Sequence, residues 1–270
     1  MSPERSRLDG RVALVTGAAR GQGQAHAVRF AQAGADVIAL DVGAPGGSAA
    51  SLEETVQLVE AVGRRIVARA VDVRDGAALD AAVDEGVAAL GRLDAAVANA
   101  GVLRAGGCLE VSEEDWRLSL DINLTGAWLT CRAAVRHMVA AERGGAIVIV
   151  GSTEAIRSSG GAVAYTTSKH GTVGLMHALA VELGDRGIRV NAVHPTIVRT
   201  PMLEEFAPPG LDEEGRRAHF RQMHALPVGW VEPEDVSDAV LFLASDAARF
   251  ITGVDVPVDA GALALRRNPS

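Results

Sequence analysis

Short aliphatic and β-branched runs alternate with longer stretches of helical period along the whole 270-residue chain, a rhythm that predicts strand and helix in turn. The strand candidates are Arg11–Thr16, Asp36–Asp41, Arg65–Val71, Leu93–Ala98, Ala146–Gly151, Ile188–His194 and Val254–Val258. Most are continuously apolar. That suits parallel strands buried on both faces, because a half-exposed strand keeps a polar residue at every second position. No linker, repeat or low-complexity block divides the pattern, so residues 1–270 are expected to form one α/β domain. The expected architecture is doubly wound: a seven-stranded parallel sheet with helices on both faces.

Ser51-Leu-Glu-Glu54 and Ser112-Glu-Glu-Asp115 read as helix starts, where a side-chain oxygen caps free amides and an acid sits in the first turn. A long helix carrying Trp116, Asn123 and Trp128 follows the second, and another runs from about Gly161 to Gly184. Between His194 and Glu234 the pattern breaks, with Pro195, Pro201, Pro208, Pro209, Pro227 and Pro233 among short amphipathic pieces. A segment this long inside one domain predicts a lid over a site, at about residues 195–233. Its Met202, Leu203, Phe206, Phe220, Met223 and Trp230 either line an apolar substrate pocket or pack the lid down.

At 48% hydrophobic and 22% charged residues, the composition excludes disorder as the main state. Lys plus Arg number 26 against 34 Asp plus Glu, a formal charge of −8. An acidic chain argues against nucleic acid and against an acidic membrane surface as partners. No apolar run approaches the ~20 residues that span a bilayer, and Met1 to Gly10 lacks the apolar core of a signal peptide, so a cytoplasmic location is expected. The two cysteines, Cys108 and Cys131, cannot build a disulfide framework and read as reduced packing residues. Seven histidines occur without a His-Glu-x-x-His or paired-cysteine spacing, so no metal is expected.

Immediately after the first strand comes Thr16-Gly17-Ala18-Ala19-Arg20-Gly21-Gln22-Gly23, opening a helix. Glycines there let the backbone turn sharply and approach a pyrophosphate, whose charge the helix N-terminus favours; without a ligand the same run is a tight turn. The second strand ends in Asp41, 18 residues beyond Gly23, where a carboxylate accepts from adenosine ribose hydroxyls and repels a 2′-phosphate. Arg20 pulls the other way, since a guanidinium in that loop could hold a phosphate or simply face solvent. Asp41 outweighs it, and NAD is expected over NADP.

The single tyrosine, Tyr165, and the single lysine, Lys169, stand four residues apart. On a helix they share a face, and an ammonium beside a phenol would draw the phenol's pKa, ~10 unperturbed, toward a general base's working range. In a chain that uses Arg for generic positive charge, the surviving Lys is informative. The bland alternative is a surface Lys and a packing Tyr. His170 follows Lys169 but points ~100° away on the helix, and reads as packing or surface.

With these motifs the chain resembles the single-domain branch of the short-chain dehydrogenase/reductase family, from Leu8 to Ala262. The carrying residues are Thr16 to Gly23, Asp72-Val73, Asn99-Ala100-Gly101, Ser152, and Tyr165-x-x-x-Lys169. The resemblance implies a Rossmann fold and hydride transfer between a nicotinamide cofactor and an alcohol or ketone. It implies Tyr165 as acid/base, Lys169 as pKa modulator and ribose ligand, and Ser152 as donor to the substrate oxygen, with adjacent Thr153 separated from that role only by spacing. Asn123 would hold a water in a proton relay. Along the cofactor it implies Gly17, Arg20, Gly21, Gln22, Gly23, Asp41, Asp72, Val73, Asn99, Ala100, Gly101, Pro195, Thr196, Val198 and Thr200, with Met202 facing substrate. Ala98 and Thr196 depart from the commonest family pattern, at positions that donate no proton.

Gly21 to His26, Val62 to Arg69 and Val193-His-Pro-Thr196 with Thr200-Pro-Met202 resemble the carveol dehydrogenase-like, mycofactocin-coupled subgroup. That implies a retained nicotinamide reoxidised by an external redox carrier. The insertion tied to retention is short here, Val42 to Ala50. A hydrophobic secondary alcohol or ketone is the expected substrate. A catalytically silent nucleotide-sensing scaffold is the alternative from another class, opposed by the intact Ser152, Tyr165 and Lys169. A sugar-nucleotide epimerase or dehydratase is opposed by the three-residue gap between Gly17 and Gly21 and by the lack of a sugar-nucleotide domain. The apolar last strand and the two long helices imply, through the family, a homotetramer with two isologous contacts.

Overall fold

Seven strands form in the computed structural model, which describes residues 3–42, 50–204 and 207–265. They are β1 Val12–Thr16, β2 Asp36–Asp41, β3 Ile66–Ala70, β4 Ala95–Ala98, β5 Gly145–Val150, β6 Ile188–Pro195 and β7 Asp255–Val258. All pairings are parallel, in the order β3-β2-β1-β4-β5-β6-β7. Alternate residues of each strand feed two separate cores. Ala13, Val15, Val37, Val97, Val148 and Val193 face one, with Phe30, Val236 and Val240. Leu14, Ile38, Ala96, Ile147, Ile149 and Val190 face the other, with Leu79, Met138 and Met176. The continuous apolar runs thus follow from burial on both sides.

The first core is closed by α1 Gly21–Gln32, α2 Ala50–Ala61 and α9 Pro233–Ala244. The second is closed by α3 Gly76–Leu90, α5 Gly126–Ala141 and α6 Val163–Leu183, with α4 Glu113–Leu120 packed against α6. The Ser112 cap forms, its side chain accepting from Asp115 N at 3.0 Å. The expected Ser51 start is shifted: α2 begins at Ala50, with Ser51 already inside it. The long helix through Trp116, Asn123 and Trp128 is not uniform, because Asp121–Thr125 winds as a π segment between α4 and α5. Cys131 is buried as expected, whereas Cys108 lies exposed in the loop before α4, where no packing partner demands it.

The segment 195–233, expected to be a lid, holds α7 Pro201–Glu204 and α8 Glu213–Arg221. Leu203, Phe220 and Trp230 bury against one another with Ile197 and Ala207, so these three pack the segment on itself. Met202 is half-buried and Met223 exposed; Phe206, like residues 43–49 of the Val42 to Ala50 segment, lies outside the described residues. Among the described residues no helix is long and apolar enough to cross a membrane.

Candidate active site

Strand order reverses between β1 and β4, and the glycine loop opens at that point, where a crevice forms beyond the carboxyl ends of parallel strands. Thr16 at the end of β1 is buried and ties the two strands, accepting from Asn99 N at 3.2 Å and donating to Val97 O at 3.4 Å. The Asn99 amide donates to Thr16 O at 2.9 Å and Gly17 O at 3.3 Å. Its side chain therefore braces the loop. A Cβ on Gly23 would meet the Gly17 carbonyl oxygen at 1.9 Å, and one on Gly17 would meet Ala100 Cα at 2.9 Å. Only bare backbone passes here, which leaves the amides at the start of α1 open to a pyrophosphate. Gln22 Oε1 is buried there without a hydrogen-bond partner among the described residues. The residues present fit a dinucleotide.

At the end of β2, Asp41 Oδ2 accepts from Ala19 N at 2.9 Å, holding the loop against the strand. Arg20 is exposed at the N-cap of α1 and makes no side-chain cap bond. Asp72 is tied to Arg74, whose Nη2 lies 2.5 Å away; that hydrogen bond holds the Asp72 carboxyl below its ordinary range despite partial burial. Val73 is buried beside Gly126.

Ser152, just past β5, Tyr165 and Lys169 on α6 are all buried. Ser152 stands extended, its hydroxyl accepting from Glu154 N at 3.2 Å and near enough to the Tyr165 phenol to act on its pKa. Burial pushes the phenol up to about 12, the nearby Ser152 hydroxyl pulls it back, and the Glu154 charge adds to the rise. Burial pushes the Lys169 ammonium down to about 8. Lys169 Nζ donates to Val150 O at 2.8 Å and lies 5.7 Å from the centre of the Tyr165 ring. In the protein alone the phenol thus stands above its ordinary value and not below it as the Tyr-Lys spacing suggested, because burial is the largest influence on each group.

Asn123 sits in the π segment with both polar atoms of its side chain engaged. It donates to Val102 O at 2.9 Å and Ser168 Oγ at 2.9 Å, and accepts from Val102 N at 2.8 Å. Ser168 in turn donates to Tyr165 O at 2.7 Å. A Cβ on Gly101 would lie 3.3 Å from Asn123 Oδ1 and 3.7 Å from Lys169 Nζ, so the loop after β4 passes over α6 at glycine distance.

Pro195 ends β6; Thr196 N donates to Val258 O at 3.2 Å and its hydroxyl meets His224 Nε2 at 2.9 Å. Val198 is buried and bridged to Val231, and the Thr200 side chain packs where a Gly21 Cβ would stand, 3.2 Å away. The lid root therefore rests on the glycine loop. Met202, two residues on, is not tied to Ser152 or Tyr165 by any described contact.

Several participants were not singled out from the sequence. Glu154 accepts from Ser159 N at 3.0 Å and Thr166 Oγ1 at 2.8 Å, closing the loop over the phenol. Arg157 reaches the carbonyls of Leu263 at 2.9 Å and Leu265 at 3.1 Å, and so pins the C-terminal segment beside the site. His194 and His224 complete the set. Their roles depend on register and lid closure, which no local motif signals.

A family model described as enoyl-(acyl carrier protein) reductase matches residues 17–262. A (−)-trans-carveol dehydrogenase from Rhodococcus erythropolis is 45% identical, over 95% of this chain and 98% of its own length. D-threitol dehydrogenase from Mycolicibacterium smegmatis is 41% identical, with 94% of each covered. The crystal structure of carveol dehydrogenase from Mycobacterium avium in complex with NAD superposes with a TM-score of 0.92 at 46% identity, covering 96% of this chain and 99% of that one.

Proposed function

The chain belongs to the short-chain dehydrogenase/reductase family, and from that premise we propose that it transfers a hydride between NAD and a hydrophobic secondary alcohol or ketone. The observation that carries this reading is the convergence of Ser152, Tyr165 and Lys169 beside a backbone cradle fit for a pyrophosphate. Ser152 holds the substrate oxygen and Tyr165 exchanges the hydroxyl proton with it. Lys169 lies one turn further along the same helix, within reach of a cofactor ribose and of the phenol. When bound, the oxidised nicotinamide supplies the hydride acceptor and a positive charge that favours the phenolate. Gly17, Arg20, Gly21, Gln22, Gly23, Ala100 and Gly101 flank the cofactor, Asp72 and Val73 meet its adenine, and Pro195, Thr196, Val198 and Thr200 close over its other end. Because both polar ends of the Asn123 side chain are engaged, a relay water is met by main-chain atoms of the π segment, whose i+5 pairing skips one carbonyl.

Asp41 supports NAD over NADP, since its carboxylate at the end of β2 opposes a 2′-phosphate. Half-buried Met202 and the relatives named for carveol favour an apolar alcohol. The purified protein is to be screened with carveol, other cyclic secondary alcohols and D-threitol. NAD, NADP and an artificial electron acceptor are supplied in separate arms. Reduction of NAD by the apolar alcohols is the expected result. Turnover only with the artificial acceptor would favour a retained nicotinamide and an external carrier; turnover only with threitol would overturn the apolar substrate.

A further inference from the structure

The imidazole of His194 is fully buried between β5 and β7, and it joins the catalytic serine to a carboxylate. His194 Nε2 lies 2.7 Å from Asp255 Oδ1 on β7. His194 Nδ1 lies 3.3 Å from the Ser152 amide nitrogen and 3.1 Å from the Ser152 carbonyl oxygen. The ring is seated closely: a Cβ on Gly151 would stand 2.4 Å from Nδ1. Asp255 shows its other oxygen to the half-exposed His177 on α6, at 3.6 Å.

Hydrogen-bond accounting selects one tautomer. The Ser152 carbonyl already accepts from Ala155 N at 2.9 Å, whereas the Ser152 amide has no acceptor among the described residues except His194 Nδ1. A ring protonated on Nε2 satisfies everything: Nε2 donates to Asp255 and Nδ1 accepts from Ser152. The Nδ1-protonated tautomer would leave the buried amide unpaired and turn a lone pair toward a carboxylate.

We propose that His194 is a positioning residue for the hydride-transfer site: Asp255 fixes its Nε2-protonated tautomer, and Nδ1 then anchors the Ser152 amide so that the serine hydroxyl meets the phenol and the substrate oxygen. This rests on the role given to Ser152 above. The anchor acts at the strand end from which Ser152 Oγ projects, so its loss moves the hydroxyl without touching the nucleotide cradle.

The first test needs no substrate. In 15N spectra of histidine-labelled protein at about pH 8, with His194 assigned by its absence in His194→Asn, the ring is expected to carry its proton on Nε2 with Nδ1 accepting. A proton on Nδ1 overturns the proposal. The second test is kinetic, with carveol and NAD. His194→Phe keeps a ring but no acceptor, and is expected to lower kcat about 10-fold or more, as a displaced catalytic group does, with the KM for NAD within about twofold. His194→Asn, whose Oδ1 falls near the position of Nδ1, is expected to recover most of that loss. Unchanged kcat in His194→Phe, or equal losses in both variants, overturns the proposal. If the parent enzyme oxidises none of the alcohols, the assigned reaction fails, and the tautomer together with hydrogen exchange at the Ser152 amide in His194→Asn still decides the anchor.

Discussion

Tyr165→Phe removes the exchangeable proton while keeping the ring that fills a buried position. General acid–base catalysis contributes at least ~10²-fold, so kcat for alcohol oxidation is expected to fall by at least ~10²-fold, with NAD binding retained. Steady-state rates and a separate NAD titration check the two halves. Because the phenol is held up at about 12 by burial, the phenolate needed to accept a proton grows as pH rises. Oxidation is therefore expected to accelerate toward alkaline pH and ketone reduction to slow. At the same scale, Asp41→Ser is expected to weaken NAD roughly tenfold, the loss of a charge-assisted hydrogen bond, and to narrow its advantage over NADP. A parent enzyme that already prefers NADP would place Arg20 above Asp41. The Tyr165 and Lys169 pair was legible because each is the only residue of its kind and the spacing alone puts them on one helix face. His194 was not: it is one histidine among seven, and its meaning comes from a β6–β7 register that sets His194 against Pro257 and so turns Asp255, two residues earlier, to the same side.

Between elements, α1 and α9 meet over the first core through His26 and Ser237, 2.7 Å apart. Ser237 Oγ donates to Pro233 O at 2.8 Å, so the imidazole is the donor in that contact. Complete burial lowers its pKa from 6.5 to about 3. A base lowered on folding takes up its proton first in the unfolded chain, so its contribution is intact above pH 6.5 and is lost as pH falls toward 3. Between pH 6.5 and about 5.5 the loss is about 1 kcal/mol. His26→Leu, close in volume, is expected to flatten that part of the profile, as read from urea midpoints at a series of pH values. An equally steep fall in the variant would assign the acid sensitivity to another group. Elements themselves were largely visible beforehand, because seven apolar runs between helical stretches admit few arrangements. The π segment was not, since Asp121-Ile-Asn-Leu-Thr125 carries neither Gly nor Pro to mark a change of winding. What holds it is Asn123 reaching across to Val102 and Ser168, a tertiary cause that local propensity does not record.

At the scale of the molecule, apolar side chains left in water bear on assembly. Val181 on α6 is 86% exposed and Phe250, just before β7, is 88% exposed, while Trp128 on α5 is 45% exposed. These residues lie on the elements the family resemblance assigned to two different contacts: β7 with its surroundings, and the pair of long helices. The sheet ends at β7, whose outer edge has no strand beside it among the described residues. An open edge next to exposed aliphatic and aromatic groups favours pairing with another copy. The competing arrangement is cover by the chain's own tail. Arg157 does pin residues 263 and 265 beside the loop before α6, so that part of the tail is held there; residues 266–270 lie outside the described residues. Two isologous contacts on different faces close into a tetramer of D2 symmetry. Light scattering at micromolar concentration is expected to give about four times the 27.9 kDa chain mass. Phe250→Glu and Trp128→Glu address the two contacts separately, and each is expected to halve the assembled mass, because a buried unpaired carboxylate disfavours the contact it occupies. A parent mass of one chain refutes assembly. A parent of two chains leaves one contact standing, and the substitution that dissociates it identifies which.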